Sequence, residues 1–238
     1  MIKKEPTAFT DRSPNPKVTQ ATLAPRIIFE DPHLIVLSKP PGLLSQGEHT
    51  GDQNLVDWLR NYLGRPYVGL IHRLDRNTSG IMIVAKRSKS ATRLTQALQE
   101  GKIDRTYLAW VVGSLAHPVR WEHRLEKDSK TNRVRVVRSG GKPSALLATP
   151  VQPGRWLQKS LTLVEFKLET GRSHQIRVQA AQEGFPLLGD TKYGMPAQKV
   201  EFSRVALHSH QLEFPHPMSG EILKFQDPLP EDLKAPQL

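Results

Sequence analysis

The stretch IHRLDRNTSG, residues 71–80, places one carboxylate among two arginines and a histidine. Apolar residues at 68–71 precede it and apolar residues at 81–85 follow it, which predicts two strands joined by a polar loop. Loops held by a rigid sheet often carry binding and catalytic residues. Asp75 in this loop is therefore a candidate functional residue, although a turn aspartate paired with a neighbouring arginine explains these ten residues equally well.

The composition narrows the class of protein. The chain has 238 residues, which fits one domain, with room for two lobes. It has no cysteine, which excludes disulfides, thiol nucleophiles and cysteine zinc sites. Lysine and arginine number 34 against 23 acidic residues, and the formal net charge of +11 favours a polyanionic partner, most simply nucleic acid.

The N-terminal stretch differs from the rest of the chain. Residues 1–24 are polar and contain Pro6, Pro14 and Pro16, so we expect a disordered tail there and a folded catalytic domain over 25–238. Glu5 and Asp11 disfavour a transit peptide. No apolar core follows the first lysines, so we do not expect a secretory signal. No apolar run approaches the ~20 residues that span a bilayer, so we expect a cytoplasmic protein without membrane contact.

Apolar patterns predict many strands and few helices. Strands are expected at residues 27–29, 34–37, 68–71, 81–85, 107–112, 133–137, 161–168 and 205–214. Helices are expected over 55–63, ended by Gly64; after a cap at Ser88 or Ser90, stopped at Gly101; and over 174–182, capped by Ser173 and ended by Gly184. Successive strands lie too close for helical crossovers, which predicts an α+β fold with a mixed, mostly antiparallel sheet and peripheral helices.

Five further segments have polar or aromatic residues at strand and helix ends. They are KPPGLLSQ (39–46), DRTYLAWVVG (104–113), LETGRSHQIRVQ (168–179), LLGDTKYG (187–194) and RVALHSHQLEFPHP (204–217). In this order, and together with IHRLDRNTSG, they resemble the RluA-type pseudouridine synthase family. The resemblance runs from about Arg26 to the C-terminus.

The resemblance implies an isomerase that converts a specific uridine of ribosomal or transfer RNA to pseudouridine. Such enzymes cut the N1–ribose bond, rotate the uracil and rejoin it through C5, and they use no metal, nucleotide or redox cofactor. The implied fold is a bent, mixed, mostly antiparallel sheet with flanking helices and loops and a basic cleft that binds RNA. Many relatives also have an N-terminal S4 RNA-binding domain, for which we expect no room in this chain.

The same resemblance assigns roles to individual residues. Asp75 matches the catalytic aspartate, Tyr107 the active-site tyrosine and Arg177 the arginine that pairs with the aspartate. Arg73 matches the arginine that helps to occupy the place of the flipped nucleotide. Four flanking residues are also expected to bind RNA: His72, Lys39, Arg172 and His174.

Elementary chemistry supports these roles. A stacked uridine must be extruded before an enzyme reaches its reacting atoms, and the planar guanidinium of Arg73 can stack on bases and bond phosphate. Asp75 must be ionised to act as a nucleophile. The ring of Tyr107 can stack on uracil while its hydroxyl accepts or relays the proton from C5. Attack of Asp75 on C6, attack on C1′ and a glycal route remain open.

Several features leave alternatives. A basic stretch is either an RNA-binding surface or a solvated face; it comprises Lys127, Lys130, Arg133, Arg135, Arg138 and Lys142. His208 and His210 share a strand face, and a metal site there is conceivable, but no acidic partner has suggestive spacing. The rival functions are an RNA-binding protein without catalysis and a metal-dependent nucleic-acid hydrolase, which should show clustered carboxylates. Arg105, Gln179 and Ser209 depart from the family pattern, where lysine, histidine and alanine are frequent.

Overall fold

A computed structural model describes residues 23–47, 51–194, 202–234 and 236. Of the predicted tail, 1–24, only residues 23 and 24 fall within this part. The described strands are β1 (Arg26–Glu30), β2 (Leu34–Lys39), β3 (Gly69–Leu70), β4 (Ser79–Ala85), β5 (Asp104–Val112), β6 (Val119–Asp128), β7 (Arg133–Val137), β8 (Lys142–Trp156), β9 (Lys159–Leu168), β10 (Leu207–Pro215) and β11 (Ile222–Gln226). The described helices are α1 (Leu55–Leu63), α2 (Ser88–Gln99), α3 (Gln175–Gln182) and α4 (Glu231–Lys234).

The described strands form a single sheet in the order β1-β2-β4-β10-β5-β9-β8-β6-β7, with β11 beside β10 and β3 beside β4. Most neighbours are antiparallel, and β10 runs parallel to β4. This arrangement confirms the predicted α+β class and the mixed, mostly antiparallel sheet. None of the helices in these described ranges is long and apolar enough to cross a membrane.

The centre of the sheet is buried on both faces. Every residue of β4 is buried, because alternate side chains enter two different apolar clusters. Met82 and Val84 pack with Tyr107 of β5 in the first cluster. Ile81 and Ile83 pack on the opposite face in the second. The polar loop before β4 is therefore attached to a strand that is buried along its whole length.

The helices flank the sheet, as the sequence predicted. Asn54 caps α1 by accepting a hydrogen bond from the Asp57 N–H (3.0 Å), and Gly64 ends it with a left-handed φ of 63°. The predicted cap of α2 at Ser88 or Ser90 is wrong. That helix includes both serines and begins after Arg87, which makes no side-chain cap bond.

The second half contains strands that the sequence patterns did not predict. Three strands, β6, β8 and β11, were missed. In β6 charged residues alternate with apolar ones, β11 is a short strand with a lysine at its centre, and β8 contains three prolines, which usually argue against a long strand. A register shift between Pro150 and Gln152 accommodates that part of β8 against β9. The strand expected at 68–71 is shorter, since only Gly69 and Leu70 pair with β4.

Candidate active site

The loop that carries Asp75 lies between β3 and β4 and is fixed on both sides of the carboxylate. The Ser45 hydroxyl donates to the Leu74 carbonyl (2.6 Å) and accepts from the Leu74 N–H (3.1 Å). The Gly42 N–H donates to the carbonyl of Arg76 (2.8 Å). The two residues that flank Asp75 are thus tied to the turn that follows β2, while the Asp75 side chain stays 28% exposed.

Arg177 on α3 joins two carboxylates. Its Nη1 donates to Asp75 Oδ2 at 2.8 Å, and its Nε and Nη2 donate to the two oxygens of Asp190 at 2.7 and 2.9 Å. The predicted pairing of Arg177 with Asp75 is therefore present in the structure. The bidentate contact with Asp190 fixes the guanidinium plane and so fixes the direction from which it meets Asp75.

Asp190 received no role from the sequence, although it lies within LLGDTKYG. Its side chain is 1% exposed. Burial by itself raises the pKa of Asp190, but the hydrogen bonds and charge of Arg177 and the N–H groups of Tyr193 and Lys192 lower the pKa overall. Burial by itself lowers the pKa of the Arg177 guanidinium, but Asp190 and Asp75 raise that pKa overall. Asp190 and Arg177 are therefore both charged near neutral pH.

His174, which we expected to bind RNA, also faces Asp75. Its Nε2 lies 3.6 Å from Asp75 Oδ1, and its Nδ1 lies 2.6 Å from the hydroxyl of Tyr193. The backbone of His174 is left-handed, with φ of 52°, an uncommon conformation that orients the ring at the start of α3. Burial lowers the pKa of His174, Asp75 opposes this effect, and Arg177 adds to it.

Gln175 explains why α3 begins here. Its Oε1 accepts from the Thr170 hydroxyl (2.8 Å) and the Arg172 N–H (3.0 Å), while its Nε2 donates to the Ala145 carbonyl (3.0 Å). One buried side chain thus ties the loop before the helix to β8. The predicted cap at Ser173 is wrong, because His174 occupies the N-cap position and makes no side-chain cap bond.

Tyr193 connects the site to the β6–β7 hairpin. The Arg177 guanidinium carbon lies 5.1 Å from the centre of its ring. Its hydroxyl accepts from the Val134 N–H of β7 at 3.0 Å. A single tyrosine therefore contacts the arginine, the histidine and the hairpin.

Tyr107 lies on β5, where it pairs with Phe166 of β9 and Ser209 of β10. It is 6% exposed. Burial raises the pKa of its phenol, the charge of Arg105 and the Ser209 side chain oppose that rise, and Asp75 adds to it. Tyr107 belongs to the same apolar cluster as Leu74, the residue before Asp75.

Two of the residues expected to bind RNA are inside the protein. Lys39 is 0% exposed, and its Nζ donates to the carbonyls of Pro40, Leu43 and Arg76. His72 is 8% exposed and accepts the Ile83 N–H at its Nε2 (3.1 Å). These placements do not support the predicted surface contacts, because Lys39 secures the Asp75 loop and His72 secures the adjoining strand.

The other two cations expected to bind RNA are at the surface. Arg73 is exposed, and it has no side-chain partner among the described residues. Arg172 is exposed and donates its Nε to the carbonyl of Pro143 (3.2 Å). Both positions leave a guanidinium accessible near Asp75 and His174 in the chain.

The basic stretch predicted from the sequence lies on and beside the β6–β7 hairpin, and its members are exposed or half-exposed: Lys127, Lys130, Arg133, Arg135, Arg138 and Lys142. Arg135 pairs with Glu126 (2.6 Å) and Arg133 donates to the carbonyl of Lys192 (2.5 Å). Lys127 lowers the pKa of His174 through its charge, so the basic hairpin extends to the edge of the site.

Comparisons with known proteins decide the family. The family model described as RNA pseudouridylate synthase matches residues 33–182, which include Asp75, Tyr107 and Arg177. The chain belongs to the RNA pseudouridylate synthase family. This confirms the resemblance that the sequence motifs indicated. As an RNA pseudouridylate synthase, the protein is an isomerase that acts on RNA.

Two curated relatives align with nearly the whole synthase chain. Ribosomal large subunit pseudouridine synthase D of Nitrosomonas europaea is 37% identical over 93% of this chain and 67% of its own length. The protein of the same name from Xanthomonas campestris pv. campestris is 35% identical over 91% of this chain and 71% of its own. The solved structure of human RNA pseudouridylate synthase domain containing 1 shares the fold, with a TM-score of 0.75, 24% identity, and coverage of 89% of this chain and 86% of that one.

The structure also accounts for two departures of this synthase from the family pattern. Gln179 is fully buried and donates to the carbonyls of Trp121 (3.2 Å) and Ser144 (3.3 Å), so it contacts the backbone between α3 and the sheet. The Ser209 hydroxyl donates to the Ile81 carbonyl (3.0 Å), which adds a bond between β10 and β4.

The histidines considered for a metal site have other contacts. His208 Nδ1 lies 2.9 Å from the Ser79 hydroxyl and its Nε2 lies 3.0 Å from the Asp227 carbonyl, which also lies 2.7 Å from His210 Nδ1. Within the described ranges, no three histidine or acidic residues are grouped as metal ligands.

Proposed function

We propose that this protein isomerises a specific uridine of large-subunit ribosomal RNA to pseudouridine in the cytoplasm, with Asp75 as the nucleophile. The observation that carries the catalytic assignment is the geometry of Asp75. One of its oxygens is bonded to Arg177, and the side chain remains partly exposed at the surface of a fixed loop. The names of two relatives, both ribosomal large subunit pseudouridine synthase D, support the ribosomal target.

The carboxylate is oriented for attack from one oxygen. Arg177 holds Asp75 Oδ2, whereas Oδ1 accepts no hydrogen bond from any residue that the structure describes and lies 3.6 Å from His174 Nε2. A fixed carboxylate with one free oxygen is suited to nucleophilic attack on the extruded nucleotide, because little orientational entropy remains to be lost. Since Asp190 keeps the guanidinium in place, Arg177 need not move when charge develops on the substrate.

Tyr107 supplies a ring and a protonated hydroxyl. Because burial raises the pKa of the phenol, the hydroxyl keeps its proton at neutral pH. We therefore assign Tyr107 to stacking against uracil and to relaying the proton that leaves C5, rather than to removing it as a phenolate. Arg73, which is exposed, is positioned to enter the space left by the extruded base.

Release of tritium from RNA labelled at uracil C5 tests this function. Wild-type protein should release tritium from unmodified ribosomal RNA, and Asp75→Asn should release none above background while it binds the RNA with similar affinity. Asn keeps the shape of the side chain but lacks the charge of the nucleophile. Asp104→Asn, which changes an exposed carboxylate paired with Lys167, serves as the matched control and should retain activity.

Three substrates separate the possible targets: free large-subunit RNA, transfer RNA and precursor ribosomal particles. Release from transfer RNA alone would contradict the ribosomal target but retain the isomerase. Equal release by Asp75→Asn would overturn the role of the carboxylate.

A further inference from the structure

Arg105 is a buried cation without a counter-charge. It lies on β5 two residues before Tyr107, and alternation along the strand puts both side chains on the same face. The residue is 9% exposed, yet it forms no ion pair and no side-chain hydrogen bond with any residue that the structure describes. Its Nε is buried and lacks a partner there. Buried charges are normally paired, so this guanidinium indicates a ligand.

His72 does not compensate the charge of Arg105. Because the Ile83 N–H donates to Nε2, that nitrogen is unprotonated and the ring proton lies on Nδ1. Nδ1 is buried and has no partner among the described groups. Burial and the charge of Arg105 lower the pKa of His72 to about 3, so the ring is neutral near pH 7.

The loop that leads to His174 covers the guanidinium. Gly171 in that loop is exposed, and a Cβ built on it would overlap Nη1 of Arg105. The absence of a side chain at Gly171 therefore allows the guanidinium to lie directly under the loop. Unlike Nε, the terminal nitrogens of Arg105 are not enclosed. The cation is thus positioned between Tyr107 and a surface loop of the active site.

We propose that Arg105 binds a phosphate flanking the target uridine. The inference rests on the proposed function, because it requires an extruded nucleotide in this site. Residues two apart on a strand are separated by about 6.8 Å. A nucleotide whose base stacks on Tyr107 can therefore extend along the strand and bring its phosphate to Arg105.

A phosphate fits this guanidinium better than a base does. Uracil is neutral and its carbonyl oxygens would leave the charge of Arg105 uncompensated, whereas a phosphate supplies an anion and several acceptor oxygens. Contacts with phosphate position a nucleic acid without reading its sequence. Arg105 is accordingly a positioning residue that holds the extruded nucleotide against Tyr107 and Asp75.

The test uses a short RNA that the wild-type enzyme modifies, with a methylphosphonate in place of the phosphate on either side of the target uridine. Arg105→Gln should lower kcat/KM by roughly 10- to 100-fold on the unmodified RNA, mainly through KM, because it removes charge-assisted hydrogen bonds. On the RNA whose contacted phosphate is neutral, wild type and Arg105→Gln should react nearly alike. Arg105→Lys should recover part of the activity.

Controls separate this inference from folding and from the function itself. Arg155→Gln removes an exposed arginine from a different strand, β8, and should react like wild type with every RNA. If Arg105→Gln does not fold, the two methylphosphonate RNAs are compared with wild type and Arg105→Lys alone. The inference is overturned if wild type is insensitive to both methylphosphonates, or if the penalty of Arg105→Gln persists undiminished on both. If wild type modifies no RNA at all, the proposed function fails first.

Discussion

Arg177 shows how one largely buried side chain can orient the carboxylate that we propose to be catalytic. Asp190 fixes the guanidinium by two hydrogen bonds, and the same guanidinium then presents Nη1 to Asp75. The two contacts differ in kind, since Asp190 is almost fully buried while Asp75 is partly exposed. We infer that Asp190 keeps Arg177 in place and that Asp75 uses the resulting position.

Replacing Asp190 tests this division of roles. Asp190→Asn leaves Arg177 with less compensation and should destabilise the fold by roughly 3 kcal/mol, because removing one partner of a buried ion pair is costly. Activity in the folded fraction should fall because Asp75 is less well oriented. Urea unfolding and tritium release measure the two effects. Asp104→Asn is the control on stability, and an equal effect of both variants would contradict the importance of Asp190.

Lys39 provides a prediction about pH. Burial lowers its pKa from 10.5 to about 7, with Asp75 opposing and Arg204 adding to the change. Between pH 7 and 10.5 the unfolded chain therefore binds a proton at Lys39 that the folded chain does not bind. The free energy of unfolding must then rise with pH through this window, at most by about 1.4 kcal/mol per pH unit.

Lys39→Met removes that contribution, so the stability of wild type minus that of the variant should increase between pH 7 and 10.5. Urea unfolding at several pH values measures this difference. Lys159→Met, at an exposed lysine, should show no such slope. A difference that is flat or falls with pH would show that Lys39 stays charged in the folded protein.

The sequence predicted some site residues and missed others for physical reasons. Asp75 and Arg177 were found because they lie in motifs whose order is specific to a family. Asp190 lies within one of these motifs but received no role, because its partner is chosen by how α3 packs and not by local spacing. For His174 we expected RNA binding and not the approach to Asp75. The left-handed backbone that turns its ring towards Asp75 cannot be derived from the residue type.

At the level of elements, the parallel contact between β4 and β10 supports the Asp75 loop. Gly80 lies in this contact, where it pairs with Ser209, and its φ is 114°. A Cβ on Gly80 would overlap the backbone oxygen of Ser209. The glycine is therefore required both by its conformation and by the close approach of the two strands.

Gly80→Ala should consequently cost roughly 4 kcal/mol or more, because neither backbone can move without breaking the sheet. Gly101→Ala is the matched control: its φ is also positive, at 71°, but no atom lies within 4 Å of the added Cβ. That variant should cost only the strain of the left-handed conformation, about 1 to 2 kcal/mol. Similar unfolding midpoints for the two variants would contradict the role of the strand contact.

Elements were predictable where burial produced a simple pattern. The strands β2, β4 and β5 were found because their residues are apolar and largely buried. The missed strands β6 and β8 lie towards the edge of the sheet, where one face is exposed and charged residues or prolines obscure the alternation.

For the whole molecule, the excess of positive charge favours binding to RNA of any base sequence. The basic hairpin combines exposed cations with a contact through Tyr193 to the active site. Phosphate contacts release counterions, so they make affinity fall as salt increases. The composition alone predicted this type of partner, but the fold determines which cations are near Asp75.

A triple variant, Lys127→Gln, Lys130→Gln and Lys142→Gln, tests the basic hairpin. The slope of log affinity against log salt should become shallower by roughly 0.7 to 0.9 for each phosphate that the variant no longer neutralises. Titrations of one RNA at several salt concentrations measure the slope. Lys159→Gln, at the start of β9, is the control with a single charge removed. A triple variant with the slope of wild type would show that these lysines form only a solvated face.

The position of β10 also limits when the enzyme becomes active during its own synthesis. Ser79, which starts β4, bonds to His208 in β10, and 129 residues separate them. A ribosome adds about 5 to 20 residues per second, so Asp75 leaves the ribosome many seconds before the strand that braces its loop. The nascent chain can fold its first hairpin but cannot complete the active site. An enzyme proposed to modify ribosomal RNA is thus inactive for most of the time that a ribosome holds it.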